Sequence, residues 1–316
     1  MENMTESSDE EHNNEDKDSI ESTDFVSLIK EDEEHVDLTH ARLGRVPDLT
    51  HVTKIKSLCL RENLIKDWDG LSLLTTLESL DLYDNLLTNI KSIETLTNLN
   101  YLDVSFNKVK KIENIDLLVN LEKLFLIRNK LSKIENLSSL TKLTLLELGS
   151  NRIRHIQGIE CLVNLQELYL GQNKISKLEN LTTLKKLKIL SIQSNRILRI
   201  EGLEELEDLE EFYISFNGIE KIENLHCNKK LKTLDVGNNK ISLIEGLDNM
   251  NELKEFWCND NNVSDWKSTD VLARLPYLET VYLERNPLQL NDQSGYRRKI
   301  KLALPKLKQL DATLTG

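Results

Sequence analysis

Four cysteines in 316 residues, none in a CxxC pair or at metal-ligand spacing, give this chain neither a disulfide framework nor a zinc site. Cys59, Cys161, Cys227 and Cys258 are therefore expected as reduced thiols. No run of 18 apolar residues occurs, which excludes a membrane-spanning helix. Near the start there is also no apolar run of the 7 to 15 residues that a secretory signal needs. A soluble, intracellular protein is expected. The motifs GxGxxG, GxxxxGK[ST], HExxH and GxSxG are all missing, the six histidines are scattered, and NDNNVSD (259–265) lacks the glycine of a calcium loop. The chain thus reads as a non-enzyme without cofactor or metal.

A basic excess is missing too. The chain holds 41 Lys and Arg against 53 Asp and Glu, and residues 1–34 carry 14 of those acids with only Lys17 and Lys30. The remaining bases and acids cancel, so the tail holds the whole net charge of -12. Acidic and poor in apolar residues, the tail cannot bury enough surface to offset the entropy of ordering, and residues 1–34 are expected to be disordered. Ser7 and Ser8, directly before Asp9, Glu10 and Glu11, resemble a site for an acid-directed kinase. With no basic stripe apparent, nucleic acid is not an expected partner.

What the chain has in abundance is a repeat. Ten segments from LCLRENLI to FWCNDNNV align on Asn63, Asn85, Asn107, Asn129, Asn151, Asn173, Asn195, Asn217, Asn239 and Asn261, each 22 residues from the last. So strict a period marks a solenoid. In L-x-L both leucines point to one side of a short strand and the residue between points out. The asparagine amide donates and accepts, so stacked copies can satisfy backbone groups where the chain leaves the strand. A return segment such as KIENLSSLTKL buries its leucines on the other side of the core. One copy cannot bury its own apolar face, so the ends need caps. VDLTHARL (36–43) fits the frame with Ala41 at the asparagine position, and VYLERNPL places Asn286 25 residues after Asn261. The expected organisation is a tail (1–34), an array (35–289) and a cap (290–316) built on an amphipathic helix in YRRKIKLALPKLKQLDA.

The outward residues of the strands form a column: Cys59, Asp81, Asp103, Phe125, Glu147, Tyr169, Ser191, Tyr213, Asp235, Trp257 and Tyr282, flanked by Tyr83, Tyr101, Glu167, Glu255, Asn259 and Glu284. From Asp81 to Tyr282 is nine strand steps, about 43 Å. Five of the seven tyrosines lie on this face, with Phe125 and Trp257, interleaved with carboxylates. Aromatics give rigid contact area and charges set register, which suits a protein-binding surface. Cross-strand packing would explain the rings alone, but not the acids among them. Gly149, Gly171 and Gly237 leave room for a partner to approach the floor. Neighbouring acids such as Asp81 and Asp103 follow from the repeat and need no catalytic role.

The pattern L-x-x-L-x-L-x-x-N-x-I/L is that of the leucine-rich repeat, which implies an α/β solenoid with a parallel sheet on its concave face and a C-terminal leucine-rich-repeat cap. The strings LCLRENLIK, LDLYDN, LELGSNRIR, FNGIE and LETVYLERNPLQ, followed by YRRKIKLALPKLKQLDAT, further resemble one family from about residue 34 onward. That family is the leucine-rich-repeat regulatory subunits of protein phosphatase 1 of the regulatory subunit 7 type. The resemblance implies contact between the concave face and the phosphatase catalytic subunit through Asp103, Phe125, Glu147, Tyr169, Asp235, Glu255, Trp257 and Tyr282. Tyr169 departs from the family's phenylalanine, and its hydroxyl needs a polar neighbour. The resemblance also implies a ternary complex with protein phosphatase inhibitor 3, a role in phosphatase maturation, mitosis and chromosome segregation, and a place in nucleus and cytoplasm. The competing reading is a structural scaffold of a ciliary or spliceosomal assembly, where 22-residue arrays also occur.

Overall fold

A computed structural model describes residues 26–315. Its core element is one sheet of fourteen short strands in chain order. These are β1 (His35–Asp37), β2 (Ser57–Cys59), β3 (Ser79–Asp81), β4 (Tyr101–Asp103), β5 (Lys123–Phe125), β6 (Leu145–Glu147), β7 (Glu167–Tyr169), β8 (Ile189–Ser191), β9 (Glu211–Tyr213), β10 (Thr233–Asp235), β11 (Glu255–Trp257), β12 (Thr280–Tyr282), β13 (Gln309–Leu310) and β14 (Thr313–Leu314). All pair in parallel except β13 with β14. The register advances by one repeat per strand, so Asp81, Asp103, Phe125 and Glu147 stand side by side, as do Tyr213, Asp235, Trp257 and Tyr282.

One turn shows why the repeat folds this way. Leu124 and Leu126 point inward from β5, and Leu131, Ile134, Leu137, Leu140 and Leu143 follow along the return path, all essentially inaccessible to water. Each such side chain contributes roughly 1.5 to 3 kcal/mol once neighbouring turns cover it. The apolar spacing of three is met by single i→i+3 turns, Leu140 N–H to Leu137 O and Leu143 N–H to Leu140 O, both 3.0 Å. These turns let every third side chain face the core without a helix. Among the described residues, α-helix occurs only from Ser268 onward.

The asparagines close the backbone ledger between turns. Asn151 Nδ2 donates to Leu126 O one turn back (2.9 Å) and to Leu148 O and Gly149 O of its own turn (3.0 and 3.1 Å). Its Oδ1 accepts from Leu131 N–H at 3.0 Å. The same set recurs from Asn63 to Asn261, and Asn286 keeps its core, with Cys258 O at 2.7 Å and Val263 N–H at 2.9 Å. An amide carrying both a donor and an acceptor is needed because the buried groups are of both kinds.

A second position, seven residues after each asparagine from Asn63 to Asn239, has positive φ in turn after turn: Asn136 at 60°, Asn180 at 59°, Gly202 at 70°, Gly246 at 72°. Asparagine there bonds the carbonyl one turn back, as Asn136 Nδ2 does to Ile112 O at 2.7 Å. At Gly246 a Cβ would stand 2.4 Å from Ile222 O, so that turn is drawn in more tightly.

The ends are closed differently. The expected disordered tail lies outside the described residues up to residue 25, but the rest of it is folded. Val26–Leu28 forms a 3-10 turn with Val26 buried, and Glu31 O and Glu34 O accept from Thr53 and Lys56 N–H groups at 3.0 and 2.8 Å. The folded unit therefore starts before residue 35, because the edge of β1 and its turn need cover and apolar Val26 supplies it. At the other end α1 (Ser268–Ala273) occupies the longer last repeat, and α2 (Pro287–Leu290) and α3 (Gln293–Ala303) follow. Tyr296 and Ile300 of α3 are buried, and Tyr296 Oη donates to Asp311 Oδ2 at 3.0 Å. Asp311 Oδ1 in turn accepts from Leu283 and Glu284 N–H (2.8 and 2.9 Å), fastening the cap to the sheet.

Candidate functional site

The outer face of the sheet holds all eight residues singled out in the sequence. Asp103 is 6 % exposed at the end of β4 and accepts from Ser105 N–H at 2.8 Å; burial pushes its carboxyl above the usual range. Glu147, half-buried, accepts from Gly149 N–H at 2.6 Å, and burial pushes it up to about 7. Asp235 is 7 % exposed, held by Ser215 Oγ (2.6 Å) and Gly237 N–H (2.9 Å), and is likewise raised by burial. Among the described residues none of these three forms an ion pair, and the Arg61 charge only partly opposes the rise of Asp103. Asp81, one strand before Asp103, does form one: Arg61 lies 3.1 Å away and stacks its guanidinium 4.1 Å over the Tyr83 ring.

Two of the three glycines, Gly149 and Gly237, serve a nearer purpose. A Cβ on Gly149 would stand 2.7 Å from Glu147 Oε1, and one on Gly237 would stand 3.2 Å from Asp235 Oδ1. Both carboxylates fold back onto the N–H two residues on, and glycine gives them the room.

The aromatic residues in contact form three groups among the described residues, one of them Tyr83 with Phe106 at 4.6 Å between ring centres. Phe125 packs against Tyr101 at 5.2 Å between ring centres. Trp257 meets Tyr213 at 6.1 Å and Tyr282 at 5.8 Å. Trp257 Nε1 is buried without a hydrogen-bond partner among the described residues, and Tyr282 Oη accepts from Gln309 Nε2 of the cap at 2.7 Å. Tyr169 Oη donates to Glu167 Oε2 at 2.7 Å, which supplies the polar neighbour its hydroxyl needs. Tyr213 pairs with Glu211 in the same way. Both phenols are raised, by burial first and by those carboxylates second. Glu255 stands half-buried at the head of β11.

The register thus joins Asp235, Trp257 and Tyr282 into one cluster and sets Asp103 beside Phe125, Phe125 beside Glu147 and Glu147 beside Tyr169. Two participants lie outside the eight residues singled out in the sequence. Tyr213 completes the tryptophan cluster from the strand beyond Asp235, a position its place in the column already gave. Gln309 reaches the site from the cap, and no repeat spacing signals it. A half-buried apolar surface whose carboxylates Asp103, Glu147 and Asp235 form no ion pair among the described residues suits a partner bringing basic and apolar side chains.

Comparison with known proteins bears on the fold first. A family model described as "Leucine Rich repeats (2 copies)" matches residues 75–117, 163–205 and 207–249. An internalin from Listeria monocytogenes superposes with a TM-score of 0.73, covering 91 % of this chain and 88 % of its own at 24 % identity. The fold is the leucine-rich-repeat solenoid. A leucine-rich-repeat protein of Leptospira interrogans gives a TM-score of 0.68 at 25 % identity over 83 % of this chain and 73 % of its own. Among curated relatives, "Protein phosphatase 1 regulatory subunit 7" of Xenopus tropicalis is 57 % identical over 51 residues, and the human protein of that name 55 % over 51. "Protein phosphatase 1 regulatory subunit SDS22" of Schizosaccharomyces pombe is 53 % identical over 45 residues. The match spans about 14 % of the length of each of these three relatives, and 14 to 16 % of this chain.

Proposed function

We propose that this leucine-rich-repeat protein is a non-catalytic regulatory subunit that binds the catalytic subunit of protein phosphatase 1 through the outer face of its sheet. The observation that carries the reading is the local identity of more than half to proteins named for that phosphatase, beside buried carboxylates, Asp103 and Asp235, that form no ion pair among the described residues. Trp257, with its unpartnered Nε1, is the anchor. Asp103, Glu147, Asp235 and Glu255 meet basic side chains of the partner, and Phe125, Tyr169 and Tyr282 supply apolar area. On the same reading the complex admits protein phosphatase inhibitor 3 as a third member, governs phosphatase maturation in nucleus and cytoplasm, and acts in mitosis and chromosome segregation.

Titration of the purified protein with protein phosphatase 1 catalytic subunit tests this, with Trp257→Ala and Glu255→Ala in parallel. Binding by the wild type, weakened in both folded variants, is the expected result. No binding by the wild type removes the proposal and leaves a scaffold whose partner is of another kind.

A further inference from the structure

The cancellation of charge over the array conceals a basic rim. After each asparagine the second and fifth residues are buried, such as Ile153 and Ile156 after Asn151, so the first, third and fourth face outward along the flank of the sheet. In five successive turns that flank reads KVKK (108–111), KLSK (130–133), RIRH (152–155), KISK (174–177) and RILR (196–199), with eleven Lys or Arg and no acid. The stripe is bounded, by LLTN (86–89) in the turn before and GIEK (218–221) in the turn after. Among the described residues one of the eleven, Arg199, has an ion pair, with Glu223 at 3.1 Å. The expectation that the array has no basic stripe is therefore corrected; a total charge averages the stripe away.

Two features of the rim limit its occupant. The first is a ladder of cations, with Lys108, Lys130, Arg152, Lys174 and Arg196 in one column and Lys111, Lys133, Lys177 and Arg199 in a second. Four strand steps span about 19 Å, which about six extended residues cover at about 3.3 Å each. Single-stranded nucleic acid would need rings on which to stack its bases. The only ring in these five loops is that of His155, which lies 3.2 Å from Glu179. Phe106, on their face side, is already engaged, with the Tyr83 ring at 4.6 Å and the Arg128 guanidinium at 4.9 Å. Carboxylates on an extended peptide need no such platform.

The second feature lies where the cations end. Leu198, 64 % exposed, leans over Gly218 of the next turn, where a Cβ would stand 2.7 Å from its Cδ2. Phe216, 57 % exposed, stands two residues before that glycine. Two large apolar side chains thus border the one rim position from Asn63 to Asn261 at which glycine directly follows the asparagine.

We infer that the rim binds an extended acidic segment of another protein, about six residues long, with a large apolar residue at one end that packs on Leu198 and Phe216. The acids speed encounter and set register, and the apolar end fixes the direction of the segment. This site lies off the outer face of the sheet, and the inference does not depend on the phosphatase reading.

Fluorescence anisotropy at low salt tests it, with the full chain and labelled hexaglutamate, alone or extended by Gly-Phe at either end. Saturable binding is expected, tightened several-fold by one of the two extensions. Lys133→Glu with Lys177→Glu, both at exposed positions, should weaken it about tenfold, since two attractions become two repulsions. Lys267→Glu with Lys306→Glu, also exposed but away from the rim, changes the net charge equally and should leave affinity unchanged. Phe216→Ser should remove the gain from phenylalanine and keep hexaglutamate binding; serine holds the same backbone conformation at Ser150 and Ser194. Thermal melts check that each variant is folded. Four results would overturn the inference: no saturable binding, equal weakening by the two lysine pairs, no gain from either extension, or hexauridylate binding as tightly as hexaglutamate.

Discussion

The rings of Tyr213 and Trp257 meet at 6.1 Å across the strand that carries Asp235. Neighbouring parallel strands lie about 4.8 Å apart, so two rings on alternate strands reach each other only by leaning together over the intervening residue. Asp235 in that position is 7 % exposed and keeps its carboxylate on Ser215 and Gly237. The acid is half-roofed by aromatics, beside a buried tryptophan N–H that has no hydrogen-bond partner among the described residues.

Trp257→Ala is accordingly expected to separate binding from folding. Loss of two ring contacts should lower stability by about 1 kcal/mol, and loss of the anchor should weaken partner binding by about 2 kcal/mol or more. Denaturant melts beside calorimetric titration with phosphatase catalytic subunit measure both. Equal losses would make the residue a packing element and remove its anchor role.

The asparagine column should be far less tolerant. In Asn151→Ala, Leu126 O, Leu148 O and Leu131 N–H lose a buried partner together, and a stability loss of about 2 to 4 kcal/mol is expected. Urea unfolding reads it directly. A loss no larger than for an exposed change such as Ser176→Ala would show that water replaces the amide.

Glu147 sets a pH dependence. Burial raises its folded value to about 7 from an ordinary 4.5, so between those values the folded chain keeps a proton that the unfolded chain releases. Its contribution is therefore most favourable below about 4.5, declines as pH rises through the window and is flat above about 7. Glu147→Gln should remove that decline and be more stable than wild type at pH 8, seen as a shifted denaturation midpoint across a pH series. A basic partner at Glu147 selects the ionised form, so complex formation below about pH 7 should release a proton.

Gly246→Ala should cost more than Gly246→Asn. Its φ of 72° strains any side chain, and a Cβ would collide with Ile222 O at 2.4 Å. Asparagine tolerates that conformation and bonds the same carbonyl in the turns of Asn136 and Asn180, so backbone shift there is offset by a new hydrogen bond. About 1 to 3 kcal/mol for alanine, with asparagine recovering part of it, is the expected order in thermal melts.

Much of the molecule was legible from residues 58 to 286 because every turn solves the same local problem. Two leucines inward, one residue outward and an amide for the orphaned backbone repeat at 22, and strand register follows from that spacing alone. The identities facing outward, from Asp81 to Tyr282, were therefore fixed by the sequence before any coordinate. What the period does not encode is what one outward side chain does to another. That Arg61 pairs directly with Asp81 but not with Asp103, that Tyr213 and Trp257 close over Asp235, and that Gly149 makes room for Glu147 depend on rotamers and depth of burial. The docking of Val26–Leu28 on the first turn and the reach of Gln309 to Tyr282 break the repeat, so only the folded chain revealed them. Local periodicity decides the scaffold because each turn needs only its neighbours. The chemistry of the face is decided by packing, which sets how deeply each carboxylate is buried and which ring or cation meets it.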